Sequence, residues 1–236
     1  MNERKPEPSV GPAAPVPPPF SLHLHRAGKK FGRDWIFRGL DLTLATGESW
    51  VLTGPNGSGK STLLQTLAAA QPLTEGRMTY HWQGKALSAT AGFRHLSLAA
   101  PYLELIEEFT LAESLALQRR FKPFRHGMTD ADVLARLGLE QHRHKEVRHF
   151  SSGMKGRLKL ALALFAATPL LLLDEPTTNL DAAGVVWYRD QLLACLDGRL
   201  LVLASNQPAE YDFLPYRQLA LVKPNDLSAG SAPVGL

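Results

Sequence analysis

The chain has 236 residues, of which 44% are hydrophobic and 20% are charged, and its formal net charge is +4. This length and composition suit one large globular domain, or a domain with an inserted subdomain. The positive charge is too small to indicate nucleic-acid binding by itself. A single cysteine, Cys195, excludes an intramolecular disulfide and favours a reducing compartment.

The sequence contains no apolar run of the roughly 18 residues that a transmembrane helix needs. Its longest apolar stretch, residues 160–173, is interrupted by Thr168 and Pro169. Residues 1–20 mix charges with prolines and lack the apolar core of a signal peptide. We therefore expect that any association with a membrane depends on a partner protein.

Both ends of the chain differ in composition from the rest. Residues 1–19 are rich in proline and show no hydrophobic periodicity, so we predict a disordered or polyproline-II tail there. Residues 224–236 are rich in Gly, Ser and Pro, which is typical of a flexible end. The stretch between them, residues 20–223, is predicted to be the folded domain.

Strands and helices are predicted from hydrophobic periodicity and from the residues that end each element. The strands fall at residues 21–25, 37–44, 48–53, 76–82, 93–99, 170–173, 200–204 and 218–222. The helices fall at residues 61–70, 103–120, 129–137, 154–167 and 182–196. Thr129 is the predicted cap of the third helix, and Gly138 ends it. The alternation of strands with helices indicates an α/β fold with a parallel central sheet.

The stretch between the third strand and the first helix reads G-x-x-x-x-G-K-S, the phosphate-binding loop. Its glycines expose backbone N–H groups to a polyphosphate, and the helix start adds a partial positive charge. Lys60 is predicted to reach the β- and γ-phosphates, and the Ser61 hydroxyl to ligate Mg²⁺. The residues predicted to bind a nucleoside triphosphate are Gly54, Pro55, Asn56, Gly57, Ser58, Gly59, Lys60, Ser61 and Thr62.

Four leucines followed by Asp174 and Glu175 form a second motif, the Walker B pattern. A buried strand carries both carboxylates to the C-terminal edge of the sheet, where α/β folds bind their ligands. We predict that Asp174 holds Mg²⁺ opposite Ser61. Glu175 is predicted to orient or deprotonate the water that attacks the γ-phosphate.

Two further stretches flank this motif, F-S-S-G-M at residues 150–154 and P-T-T-N-L-D at residues 176–181. With the phosphate loop and Walker B in this order, the chain resembles the ATP-binding cassette (ABC) ATPases over about residues 20–223. The resemblance implies a P-loop NTPase fold with a mainly parallel core sheet and an N-terminal antiparallel β part. It also implies an inserted α-helical subdomain at about residues 93–150.

The resemblance further implies a head-to-tail dimer with ATP at its interface. In that family each ATP lies between the phosphate loop of one subunit and the signature of the other. Ser151, Ser152 and Gly153 would therefore contact ATP held by a second copy or a related subunit, and Asp181 would lie at the dimer interface. Phe31 falls where the family places an aromatic ring on adenine, although a core phenylalanine at a strand end is an equally good interpretation.

Three positions depart from the family pattern. The loop glutamine, which contacts Mg²⁺ and senses the membrane partner, is replaced by Pro101, with Glu104 as a nearby substitute. The switch histidine is replaced by Asn206, which can hydrogen-bond a phosphate but cannot carry a proton at neutral pH. The signature has Ser152 and Met154 in place of a glycine and a glutamine.

Because the phosphate-loop and Walker B residues are all present, we favour a working ATPase that uses ATP and Mg²⁺. Glu175 and Lys60 would be its catalytic residues, with Asn206 positioning rather than titrating. An ATP-operated clamp with little turnover is the alternative.

The single cassette and the helical insertion favour the nucleotide-binding subunit of a membrane transporter. The permease would be a separate polypeptide, and this chain would lie at the cytoplasmic face of the membrane through that partner. The alternatives are a soluble ABC ATPase acting on nucleic acid or ribosomes, and a regulatory ATP-binding module. The second cassette or long coiled coil usual in nucleic-acid-acting members is missing from the sequence, so we expect no nucleic-acid partner.

Overall fold

The computed structural model describes residues 19–222. Its strands are β1 Phe20–Phe31, β2 Asp34–Ala45, β3 Ser49–Thr53, β4 Glu75–Trp82, β5 Lys85–Leu87, β6 Leu96–Ala99, β7 Leu170–Asp174, β8 Leu200–Ala204 and β9 Arg217–Ala220. Its helices are α1 Lys60–Leu67, α2 Ala89–Gly92, α3 Leu111–Phe121, α4 Asp130–Leu137, α5 Ser152–Leu164 and α6 Ala182–Cys195. Both predicted tails lie outside the described residues, except for Pro19 at the end of the first one. The sequence predicts these tails at residues 1–19 and 224–236.

The strands form two sheets. An antiparallel sheet has the order β2-β1-β4-β5, and a sheet in which every pairing is parallel has the order β6-β7-β8-β3-β9. The parallel order places β7 and β3 on either side of β8, so the loops that follow these three strands meet at one edge. The predicted α/β architecture, with a parallel core sheet and an N-terminal antiparallel part, is confirmed.

The parallel sheet is buried on both faces. Along β7, Leu171 and Leu173 pack into one hydrophobic cluster with α5 and α6, and Leu170 and Leu172 pack into another with α1 and the antiparallel sheet. A strand that is covered on both sides must be apolar at every position, which is why four consecutive leucines form it. Helices on each face therefore fix the sheet edge from which Asp174 emerges.

A helical section, α3 and α4, stands between β6 and α5. The structure confirms the predicted start of α4, because the Thr129 hydroxyl accepts from the Asp132 N–H while the Asp132 carboxylate accepts from the Thr129 N–H. Gly138, with φ of +65°, ends the helix as predicted. None of the helices between residues 19 and 222 combines the length and apolarity that crossing a bilayer requires.

The predicted helix over residues 103–120 is wrong in its first part, because α3 begins only at Leu111. The backbone of residues 107–112 instead bonds to that of residues 143–148, as in the bond from the Val147 N–H to the Phe109 carbonyl. Thr110 and Glu113 form a capping box that starts the helix at this point. The helical section also begins later than residue 93, since β6 pairs with β7 in the core sheet.

Candidate functional site

The phosphate loop leaves β3 and enters α1, and two of its glycines have no room for a side chain. Gly54 has φ of +140°, and a Cβ atom there would lie 2.3 Å from the Leu221 carbonyl oxygen. Gly59 caps α1 with φ of +104°, and a Cβ atom there would lie 2.2 Å from Ile36 Cγ2. Ile36 of β2 and Leu221, the residue after β9, thus pack directly against the loop and restrict its backbone.

Lys60 lies across the loop that it follows. Its Nζ donates to the Gly54 carbonyl at 2.7 Å and to the Pro55 carbonyl at 3.3 Å. A cavity of about 230 Å³ adjoins this side chain, and Glu175 lies on its wall. The residues lining the cavity are Ile36, Asn56, Gly57, Gly59, Lys60, Ser61, Thr62 and Glu175.

Asp174, the last residue of β7, is buried beside the start of α1. Burial raises the pKa of its carboxyl above the ordinary value; the hydrogen bond from Ser61 and the charge of Lys60 act against this rise, while Glu175 adds to it. A hydroxyl and a carboxylate that meet in this way form an oxygen donor set suited to Mg²⁺. The residues present therefore fit the predicted metal pair, Ser61 and Asp174.

Glu175 follows directly and adopts a left-handed backbone conformation, with φ of +41°. Its N–H donates to the Ala204 carbonyl at 2.9 Å, and its own carbonyl accepts from the Thr178 hydroxyl at 2.9 Å. This turn brings the Glu175 side chain to the cavity that Lys60 and Ser61 also line.

Asn206 reaches the phosphate loop from the end of β8. Its Oδ1 accepts from the Gly54 N–H at 3.3 Å, and its Nδ2 donates to Asn56 Oδ1 at 3.4 Å. Because β8 lies beside β3, the loops after these two strands are neighbours, and the amide bridges them. Both of its hydrogen-bonding groups point at the residues that would hold phosphate.

The signature stretch and Asp181 lie together, away from the phosphate-loop cavity. Ser151 caps α5 by accepting from the Met154 N–H at 3.2 Å. Asp181 caps α6 by accepting from the Gly184 N–H at 2.7 Å. Both residues, with Ser152 and Gly153, line a separate cavity of about 530 Å³ that no phosphate-loop residue lines.

Comparison with known proteins identifies the family. The family model described as "ABC transporter" matches residues 37–178. The chain belongs to the ABC transporter family. It is 34% identical to the cytochrome c biogenesis ATP-binding export protein CcmA of Rhizobium meliloti (strain 1021) over 185 residues, which covers 75% of this chain and 86% of the relative. It is 31% identical to the Nod factor export ATP-binding protein I of Rhizobium sp. (strain N33), covering 89% of this chain and 71% of the relative.

Solved structures share the fold. A bacterial Atm1-family ABC exporter with ATP bound superposes with a TM-score of 0.71 at 23% identity, covering 89% of this chain and 38% of the exporter chain. An ATP-binding subunit of an ABC transporter superposes with a TM-score of 0.69, covering 85% of both chains. By family, this ABC protein is an ATP-binding transporter subunit and an ATPase.

Phe31, the predicted adenine-stacking residue of this ABC protein, stands at the end of β1 and is 49% exposed. Lys29 Nζ lies 4.8 Å from the centre of its ring. This exposure contradicts the interpretation of Phe31 as a core residue. The ring is not among the residues that line the phosphate-loop cavity, so a stacking role stays a prediction.

Pro101, the residue predicted to stand in place of the loop glutamine, lies near the Walker B acids. It lines a cavity of about 30 Å³ together with Asp174 and Glu175. Glu104 does not line that cavity and faces instead a groove of about 620 Å³. The geometry therefore gives no support to Glu104 as a substitute for the glutamine.

Two residues next to this position escaped the sequence analysis. Lys159 of α5 donates from Nζ to the Pro101 carbonyl at 3.2 Å and lines both the small cavity and the groove. Burial raises the pKa of the Tyr102 phenol, a hydrogen bond with Gln65 of α1 opposes that rise, and the charge of Asp174 adds to it. Both contacts join residues far apart in sequence, so no local pattern signals them.

Proposed function

We propose that this chain is the ATP-hydrolysing subunit of an exporter and that it dimerises head to tail around two ATP molecules. Residues 20–223 would form the ABC ATPase domain. The observation that carries the proposal is the division of the predicted site between two cavities. Lys60, Ser61 and Glu175 line one, whereas residues 151–153 and Asp181 line the other. One subunit would supply each half.

In this account the phosphate loop, Gly54 to Thr62, binds the phosphates, and Ser61 and Asp174 hold Mg²⁺. The ion would neutralise charge that develops on the phosphates. Glu175 would orient the attacking water or take its proton, and Lys60 would stabilise the γ-phosphate. Asn206 would position the γ-phosphate through its amide group.

The groove beside Lys159 is our candidate contact surface for the permease. Its lining mixes three glutamates with Lys155 and Lys159, and Lys155 is paired with Glu107. The groove also contains the apolar side chain of Ile106, which is 46% exposed. A segment with an apolar side chain for Ile106 and a basic residue for Glu104 or Glu108 would match this chemistry. The relatives above are named as export proteins, which supports an export role. With that role we propose a location at the cytoplasmic face of a membrane.

The dimer is tested with Glu175→Gln, which would bind ATP without hydrolysing it. We expect size-exclusion chromatography of this variant to show a dimer with ATP and Mg²⁺ and a monomer with ADP. Adding Ser152→Glu should abolish the dimer through repulsion of the partner's γ-phosphate, while the fold survives because a carboxylate is favourable in the first turn of α5. A dimer that persists in the double variant would refute the composite site.

The transport role is tested by affinity purification of the tagged full-length chain from membranes of the source cells. We expect a multi-span membrane protein to co-purify in stoichiometric amount. Recovery of the chain with RNA and without any integral membrane protein would overturn the transporter assignment.

A further inference from the structure

Glu210 is a completely buried glutamate that no sequence motif indicated. It ends the short turn Pro208–Glu210, four residues after Asn206. Its Oε1 accepts from the Thr177 N–H at 2.9 Å and also from the Thr177 hydroxyl. Its backbone carbonyl accepts from the hydroxyl of Tyr188, a buried residue of α6, at 3.1 Å. The carboxylate therefore spans from the loop after β8 to the loop after β7.

Thr177, the residue that Glu210 binds, lies close in sequence to a residue with an unfavourable backbone conformation. Thr177 is two residues after Glu175, whose φ of +41° is unusual for a residue with a side chain. Such a conformation is unfavourable for a residue with a Cβ atom and persists only where surrounding contacts enforce it. Two bonds hold the Glu175 backbone directly: its N–H donates to the Ala204 carbonyl at the end of β8, and its carbonyl accepts from the Thr178 hydroxyl. Glu210 anchors the next part of this turn to a different loop.

Burying the Glu210 carboxylate is energetically unfavourable, and an apolar side chain would fill the same space without that cost. A buried carboxylate loses its hydration, and here Oε2 has no hydrogen-bond partner among the described residues. The two bonds to Thr177 go to a single residue, which fixes both its backbone and its side chain. A polar contact this specific is expected where a loop must keep one orientation.

We propose that Glu210 is a positioning residue for hydrolysis, which holds the loop after β7, residues 175–181, so that the Glu175 side chain faces the phosphate-loop cavity. The inference rests on the catalytic role proposed for Glu175. Because Glu210 contacts Thr177 and not the phosphate loop, its loss should lower the turnover of bound ATP without weakening ATP binding. Misplacing a catalytic group by about 1 Å can cost roughly 100-fold in rate.

The test compares Glu210→Leu with Glu210→Gln in steady-state ATPase assays. The leucine removes both acceptors, so we expect kcat to fall about 10- to 100-fold while KM for ATP stays within about threefold. The glutamine keeps Oε1 as an acceptor for both Thr177 donors and should retain kcat within about threefold. Glu140→Leu, which changes an exposed glutamate in another turn, is the matched control and should behave as wild type. Equal kcat in Glu210→Leu and wild type would overturn the inference.

A second measurement works without nucleotide. Hydrogen exchange of the nucleotide-free protein, followed by mass spectrometry, should show faster exchange in peptides covering residues 176–181 of Glu210→Leu and unchanged exchange in α4. Unchanged exchange at residues 176–181 would overturn the inference. If Glu210→Leu does not fold, Thr177→Val removes one of the two bonds and should speed the same peptides and lower kcat by a smaller factor.

The two proposals fail differently. If Glu175→Gln hydrolyses ATP at the wild-type rate, the catalytic role of Glu175 is wrong, and the positioning role falls with it. If Glu175→Gln is inactive while Glu210→Leu keeps wild-type kcat, only the role of Glu210 is wrong.

Discussion

Asn206, which the sequence resemblance places where the family has its switch histidine, contacts the phosphate loop through both groups of its amide. Its amide oxygen binds the Gly54 N–H and its amide nitrogen binds Asn56, so both groups point at the phosphate loop. An amide can donate to phosphate at any pH near neutrality, whereas a histidine in the same place titrates. Compared with the histidine that the resemblance leads us to expect, Asn206 would therefore act as a fixed donor and not as a proton carrier.

This difference predicts opposite outcomes for two substitutions. Asn206→Ala removes the donor and should lower kcat about tenfold with little change in KM. Asn206→His restores a donor and should remain active, but the ratio of its rate to that of wild type should change with a midpoint at pH ~6.5. ATPase rates measured from pH 5.5 to 8.5 check both expectations. Wild-type kcat in Asn206→Ala would show that the amide has no part in turnover.

Residues in contiguous motifs could be predicted from the sequence, and residues joined across the fold could not. Lys60, Ser61 and Glu175 line one cavity, as their motifs indicated. Glu210 and Lys159 are hydrogen-bonded to Thr177 and Pro101, which are 33 and 58 residues away. These contacts depend on which loops the parallel sheet brings together. The hydrophobic periodicity of the sequence does not predict which loops become neighbours.

At the scale of elements, the phosphate loop owes its shape to the strands around it. The Leu221 carbonyl after β9 presses on Gly54, and Ile36 of β2 presses on Gly59. Gly57 has a positive φ as well, but nothing lies within 4 Å of a Cβ atom placed there. Glycine is thus required at Gly57 only for its positive φ. At Gly54 and Gly59 it is required both for the positive φ and because a neighbouring residue leaves no room for a Cβ atom.

The contrast gives a matched pair of variants. In Gly54→Ala a methyl group would lie 2.3 Å from a backbone oxygen, so the loop must move. We expect ATP affinity to fall at least tenfold and Tm to fall. In Gly57→Ala only the positive φ is penalised, by about 1–2 kcal/mol, and ATP affinity should change less than threefold. Calorimetric titration with ATP and Mg²⁺ measures both, and equal affinities for the two variants would contradict the close-contact argument.

Element boundaries were the part of the fold that the sequence predicted least well. The apolar spacing over residues 103–120 suits a helix, yet residues 103–110 are not helical because residues 107–112 bond to the backbone of residues 143–148. That pairing joins segments about 35 residues apart, and local pattern cannot reveal it. The start of α4 at Thr129 was predictable, because its capping box lies within four residues.

At the scale of the whole molecule, the groove of residues 101–108 connects the nucleotide site to an exposed surface. Lys159 lines both the groove and the small cavity that contains Asp174 and Glu175. A partner that moves this loop would therefore act on the Walker B region through Pro101. This is the route by which we expect the permease to influence ATP hydrolysis.

A single charge introduced into the groove should weaken binding to the membrane partner without changing ATP hydrolysis by the isolated subunit. We expect Ile106→Glu to reduce co-purification with the membrane partner at least fivefold, because it buries a charge in the proposed interface. The ATPase rate of the isolated subunit should stay within twofold of wild type. Leu193→Glu, at an equally exposed leucine of α6, is the control and should assemble normally. Normal assembly of Ile106→Glu would exclude the groove as the contact surface.

The central claim is that this chain hydrolyses ATP with Glu175 as the catalytic carboxylate. The most direct test is the steady-state ATPase rate of the wild type and of Glu175→Gln, with ATP affinity measured for each. We predict that the glutamine variant binds ATP and Mg²⁺ as tightly as the wild type, while its turnover falls at least 100-fold. Equal turnover in the two proteins would contradict the account.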